Sequence, residues 1–462
     1  MGSGTESAMY GFQESAQLRE LFPELHPPFV RPEALIEAHR CVYCFDAPCT
    51  AGCPAHINVP RFVCLLAILV LAALCAACSR PATKLDDSWS PKAAAAYLDK
   101  RENTWAAWPH AARDRGTFCA SCHTAMPYAL ARQAVDPVLH NANLSPNERK
   151  LVDDVTKRVR LWKEIEPYYK SQPGQSRGTE AILNALILAN NDARSGKLSE
   201  DTQLAFDEMW SLQQKAGPER GAWQWIEFNN EPWEAYDSPF YGATLAAIAV
   251  GLAPGDYRSA PQMQQNLKLL SGYFNREYQT QTLLNRISLL WASAKVPGIL
   301  DAGRQQSIIG EIFGEQRADG GWSASSLVGT WKRKDRTPLV TSSDGYATGL
   351  ITYVLQQAGV SRDDVHVSTG LSWLARNQIW WNGNWKGYSL NKRRLNPFAN
   401  PASFMDDAAT AYAVLALTEA DTQRRAGPMP HTDIQRAASA GPAQLLPGKG
   451  ATKAGSEGQR QN

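Results

Sequence analysis

Beyond about residue 145 the chain alternates two kinds of helical pattern up to about residue 420. One kind is of mixed polarity and ends in a Gln followed by Gly-x-Trp. Its three clear copies are MWSLQQKAGPERGAW (Gln214, Gly221, Trp223), EIFGEQRADGGW (Gln316, Gly320, Trp322) and WLARNQIWWNGNW (Gln378, Gly383, Trp385). After each comes a loop, an acidic residue and an alanine-rich helix: DSPFYGATLAAIAVG from Asp237, SSDGYATGLITYVLQQAG around Asp344, and MDDAATAYAVLAL around Asp407. Asp near a helix start can cap free N–H groups, and Ala and Gly allow close helix approach, which suits an inner layer. Weaker copies begin at Gly178 and Thr282, making about five pairs in all. The pattern predicts an all-α domain over 145–423, with a disordered tail, poor in apolar periodicity, over 424–462.

The first third of the chain is of another character. Val63 to Ala77 is a run of 15 apolar residues, preceded by Arg61 and followed by Cys78. It is shorter than the roughly 20 residues of a spanning helix and resembles a bacterial lipoprotein signal, with Ala76 and Ala77 before a cysteine to be lipidated. Buried-helix and signal-anchor readings stay open. All nine Cys lie in the first 122 residues and all fifteen Trp follow Ser88, so two pieces of different origin are expected to join near Phe62, with a functional start near Val59 or Val63. The expected localisation is the periplasmic face of a bacterial membrane, by a lipid anchor at Cys78. Otherwise the protein is expected to be cytoplasmic or signal-anchored.

Cys41, Cys44, Cys49 and Cys53 form C-x2-C-x4-C-x3-C with Pro54 closing the run, an iron–sulfur ligand spacing, with zinc as the rival. With its flanks, through I-N-V-P-R-F at Phe62, the stretch 21–62 resembles the N-terminal iron–sulfur segment of the dihydropyrimidine dehydrogenase and glutamate synthase small-subunit family. That resemblance implies [4Fe-4S] clusters. The family's further cysteines and its dinucleotide-binding glycine loop have no counterpart here, so an incomplete segment with reduced thiols is the alternative.

Cys119, Cys122 and His123 form C-x-x-C-H, the attachment motif for haem c: two thiols for the vinyl groups and an imidazole for the iron. His110 or His140 is the candidate second axial ligand, Met126 being too close in sequence to reach the opposite face. A Cys119–Cys122 disulfide and zinc are the competing readings. The segment 79–144 reads as an extension carrying this motif.

The helical repeat resembles the α/α-toroid of squalene-hopene cyclases and protein prenyltransferases, including their Q-x3-G-x-W turns. The resemblance implies that the Gln, Gly and Trp of the turns are structural braces. It also implies a proton-donating Asp in D-x-D-D-T-A, for which FMDDAATA offers only Asp406 and Asp407, Phe404 and Ala408 replacing family positions. Zinc chemistry of the prenyltransferase kind needs a Cys this domain lacks. Aromatics including Trp225, Trp233, Tyr241, Tyr346, Trp380, Trp381 and Tyr412 would line a concave surface for an isoprenoid, quinone, glycan or peptide, most of them being core under the plainer reading. Composition changes one thing more. With 20% charged residues and a net charge of +2, the chain has no electrostatic footprint for nucleic acid. The expectation is an exported haem c protein with a membrane anchor and a redox partner protein, the alternatives being a degenerate terpenoid cyclase, an interaction module, or an iron–sulfur subunit of a dehydrogenase.

Overall fold

The computed structural model describes residues 88–392 and 399–426, and among them lie twelve α-helices and one short hairpin. The helices are α1 (Pro91–Ala106), α2 (Ala125–Val135), α3 (Pro146–Arg160), α4 (Pro173–Ala193), α5 (Glu200–Ser211), α6 (Ser238–Leu252), α7 (Pro261–Glu277), α8 (Leu283–Lys295), α9 (Ala302–Gly314), α10 (Gly345–Gln357), α11 (Val365–Asn377) and α12 (Phe404–Ala426). Strands β1 (Ala112–Arg113) and β2 (Thr117–Phe118) pair antiparallel between α1 and α2. None of the described helices is long and apolar enough to cross a membrane. Cys41, Cys44, Cys49, Cys53, the apolar run and Cys78 lie outside the described residues, as do residues 427–462. Helix α12 carries on to Ala426, three residues into the tail expected from 424.

Side chains at the helix starts satisfy N–H groups that no intrahelical carbonyl can reach. Ser90, Ser199, Thr282 and Asp301 each accept from the N–H three residues on, and Ser145 and Glu148 cap reciprocally. Asp344 does the same for α10, accepting from Tyr346 and Ala347 at 3.0 Å. The expected capping role fails at two places. Asp237 makes no cap bond and instead accepts from Asn285 Nδ2 at 2.9 Å, and Asp407 lies inside the first turn of α12.

The helices form two layers. Inner helices α2, α4, α6, α8, α10 and α12 contact one another in succession, and α12 returns to α2, so the ring closes. Outer helices α1, α3, α5, α7, α9 and α11 pack against them. The fold is therefore an α/α-toroid, of six pairs rather than about five. The sixth comes from the segment read as an extension, since α1 and α2 supply the first outer and inner members. Small residues permit this packing: a Cβ on Gly349 of α10 would sit 2.6 Å from the Ala413 nitrogen of α12.

The turn motifs brace the layers as expected. Gln316 Nε2 donates to Gly320 O and to His366 O at the start of the next outer helix, both at 2.9 Å, while Trp322 Nε1 donates to Ile312 O at 2.8 Å. Gln378 Nε2 likewise donates to Gly383 O at 2.9 Å and Ser90 O at 3.1 Å, and Trp385 Nε1 to Leu374 O at 2.7 Å. In the first copy the brace is Gln213 and not Gln214: its Nε2 donates to Gly221 O and Asn266 O, both at 3.0 Å. The three turn glycines, Gly221, Gly320 and Gly383, have φ of 101°, 89° and 81°. A Cβ on each would also come within 2.1, 2.9 and 2.3 Å of the next outer helix's backbone, so both conformation and space demand glycine.

The interior is filled, not open. Trp225, Tyr241, Tyr346 and Tyr412 are buried in the core, with Tyr346 edge-on to Trp233 and Tyr412. Trp233, also among the aromatics expected on a concave surface, lines the cavity described below. Trp322→Ala is expected to lower unfolding free energy by about 3–5 kcal/mol in urea titrations, against less than about 0.5 kcal/mol for the exposed Trp380→Ala. Similar midpoints for the two variants would show that the turn Trp does not brace the ring.

Candidate functional site

The connections that lead into inner helices α2, α4, α6 and α12 meet around a cavity of about 510 Å3. Trp105 comes from the end of α1, Trp108, His110 and His123 from the first connection, and Tyr169 from the second. Phe228, Glu231, Trp233 and Glu234 come from the third, Asn391 and Lys392 from the last, and Phe404 opens α12. Asn391 ties the mouth together: its Oδ1 accepts from Glu231 N at 2.9 Å and its Nδ2 donates to Glu231 O at 2.6 Å.

His123 is the centre of the wall. Its ring stacks on Phe404, centroids 3.6 Å apart and planes 16° apart, and meets Trp105 edge-on at 4.9 Å. Nδ1 lies 2.8 Å from Thr124 Oγ1, and that hydroxyl donates to Asp407 Oδ2 at 2.8 Å. Because the hydroxyl proton goes to Asp407, Nδ1–H must be the donor to Thr124. The network thus selects the tautomer whose Nε2 carries the lone pair, in a ring that lines the cavity. Burial, with Arg101 adding to it, pushes the imidazole down to about 3, so the ring is neutral at physiological pH.

Asp407 is fully engaged. Oδ1 accepts from Arg101 Nε at 2.7 Å and Tyr97 OH at 2.9 Å, and Oδ2 accepts from Arg101 Nη2 at 3.1 Å besides Thr124. Asp406 is held by Lys386 Nζ at 3.0 Å and Gly387 N at 2.9 Å. Neither carboxylate lines the cavity. The acid role expected for this pair has no access to a ligand there, and the Asp407 carboxylate orients His123 instead.

Cys119 and Cys122 are both buried and unpaired, and burial pushes the Cys119 thiol up to about 12 and Cys122 well above the usual range. They lie behind the cavity wall, close enough to feel the charge of its Glu234. His110 is exposed at the rim with its ring 4.9 Å from Trp108, so it shares the cavity with His123. His140 does not; it follows the far end of α2, at φ 57°. Among the described residues no group of three or more His, Cys, Asp or Glu is placed to hold a bare metal ion. The zinc reading of the C-x-x-C-H motif has no ligand set there.

Two groups escaped sequence reasoning. Glu231 and Glu234 face the cavity, and burial pushes their carboxyls up to about 8 and about 7. Glu102, behind the wall on α1, is buried with neither oxygen hydrogen-bonded, and burial pushes it to about 8. The string EPWE between two loops has no periodicity to flag it, although two acids beside a Trp is a cavity-like composition.

Residues 18–80 match the family described as dihydropyrimidine dehydrogenase domain II, 4Fe-4S cluster. The N-terminal segment is therefore of iron–sulfur type. No curated protein sequence matches the chain. Among solved structures, one named "Glycosidase Wild Type" is similar at 12% identity and a TM-score of 0.39, over 71% of this chain and 98% of that one. A variant glycosidase in complex with glucose is similar at 12% identity and a TM-score of 0.36, over 70% and 97%.

Two outcomes follow from this geometry. Asp407→Asn leaves Arg101 buried without a counter-charge and is expected to cost about 3–5 kcal/mol in denaturant unfolding, unlike Asp406→Asn at its half-exposed lysine pair. A Glu raised to about 8 adds stability that is complete below about pH 4.5 and lost as pH rises through 8, so wild-type Tm should fall between pH 5 and 8 and fall less in Glu102→Gln. His123 acts in the opposite window, losing stability as pH drops from 6.5 towards 3. Equal pH slopes for wild type and Glu102→Gln would show that Glu102 is not the titrating group.

Proposed function

We propose that the protein is an exported, lipid-anchored haem c protein in which the toroid holds the haem at the mouth of the ring and passes electrons to a partner protein or a hydrophobic ligand. The observation that carries this reading is the His123 tautomer: a buried neutral imidazole donates Nδ1–H into a fixed acceptor and leaves the lone pair on Nε2, in a ring that lines an aromatic-walled cavity. Iron-ligating histidines need that state, with the far nitrogen hydrogen-bonded to a group that fixes the ring.

Of the donor set, His123 and His110 line the cavity, while the thiols that would hold the group, Cys119 and Cys122, lie buried behind its wall, so attachment would have to precede closure of the ring. His123 would hold the iron, with His110 as the second candidate ligand. Haem supplies one-electron chemistry when bound. The chain's own residues do the rest. Asp407 through Thr124 keeps His123 neutral and oriented, Phe404 and Trp105 fix the ring plane, and Glu231 and Glu234 can take up or release protons near pH 7 to 8. The anchor at Cys78 agrees with haem attachment outside the cytoplasm.

A second reading rests on the match over 18–80: an iron–sulfur subunit, with Cys41, Cys44, Cys49 and Cys53 as cluster ligands. Iron and acid-labile sulfide in the purified full chain distinguish it. The cyclase reading is not advanced, because Asp406 and Asp407 are engaged in structural bonds.

Expression with haem-attachment machinery should give a c-type pyridine haemochrome spectrum and one haem of added mass, both lost in Cys119→Ala/Cys122→Ala. Thr124→Val should keep the haem but raise its midpoint potential, because removing the acceptor lowers the imidazole's donor strength. Absence of haem under conditions where a control cytochrome matures would overturn the proposal.

A further inference from the structure

Trp380 and Trp381 are 84% and 71% exposed, edge to face with centroids 5.4 Å apart. Of the described tryptophans they alone stand this far out of the fold. Two adjacent exposed indoles form a small apolar patch with polar N–H tips, a combination suited to the lipid headgroup boundary.

Their position matters as much as their exposure. They lie in the turn after α11, two and three residues beyond Gln378, whose side chain is bonded to both Ser90 N at 2.6 Å and Ser90 O at 3.1 Å. Gly383 in the same turn presses on Ala93, and Trp385 packs 6.1 Å from Trp89. The turn is therefore clamped onto the start of α1, where the chain enters the ring. Cys78 precedes Ser88 by ten residues in the sequence, so the anchor and that entry point are joined by a short connection. Lys92 and Arg376, both exposed, lie on the two elements that the clamp joins and carry charge suited to anionic headgroups.

We propose that the Trp380–Trp381 turn is a membrane-contact surface that seats the toroid on the bilayer beside its anchor. The proposal rests on the membrane anchoring stated above. Two indoles at the interface convert a loose tether into one orientation, which turns a single face of the ring to the membrane.

The test uses the protein matured to a lipidated Cys78 on phosphatidylethanolamine and phosphatidylglycerol vesicles, with and without acyl-chain bromine as a short-range quencher of Trp fluorescence. The wild type is expected to show bromine-dependent quenching, most of it lost in Trp380→Phe/Trp381→Phe at equal vesicle recovery and an unchanged urea midpoint. Equal quenching in both proteins overturns the membrane contact while leaving the anchor intact. A Trp380/Trp381 emission component that is already blue-shifted without lipid, and insensitive to bromine, also overturns it: the pair is then covered by protein and not by lipid. Failure of the wild type to sediment with vesicles overturns the anchor reading and this proposal together.

Discussion

One carboxylate closes this molecule. Asp407, on the last inner helix, binds Arg101 and Tyr97 of the first outer helix and Thr124 at the entry to the first inner helix. A ring needs a seam, and here the seam is a buried ion pair whose four accepted hydrogen bonds leave neither oxygen wanting. Desolvating a charge is tolerable only when its partners are in place, so the seam either forms complete or costs several kcal/mol. Gln378 repeats the link in the outer layer by grasping Ser90 across 288 residues. The orientation of His123 follows from this closure, since its acceptor is held by the same carboxylate.

Much of the toroid was legible because brace residues announce themselves. Gln, Gly and Trp recur at turns for reasons visible in each one: an amide that reaches two carbonyls, a left-handed backbone, and an indole N–H that caps the preceding helix. Register was harder. In MWSLQQ either Gln satisfies the pattern, and only packing shows that Gln213 reaches both Gly221 and Asn266. The first pair was missed because its connection carries the C-x-x-C-H motif and the hairpin in place of a Gln-Gly-Trp turn, so the repeat has no signature there.

The site divides along the same line. Cys119, Cys122 and His123 stood out by spacing, and the structure adds what orients the His123 ring and keeps it neutral. Glu231 and Glu234 could not be read, because loop acids have no periodicity and their raised affinity for protons comes entirely from burial by chain distant in sequence. Asp406 and Asp407 show the converse. Their string drew attention to chemistry, while the surroundings, Arg101 above all, turn one of them into a fastening.

Closure of the ring also sets an order of events in time. Thr124 and Asp407 are 283 residues apart, which at roughly 5–20 residues per second separates their synthesis by tens of seconds. Until the last helix arrives, α2 lacks the neighbour that completes its burial, and long-range closure of this kind is slow to form. Cys119 and Cys122, sequestered in the finished fold, are thus open to enzymes and oxidants before the ring closes. Any covalent fate of these two thiols is decided before the protein has finished becoming itself.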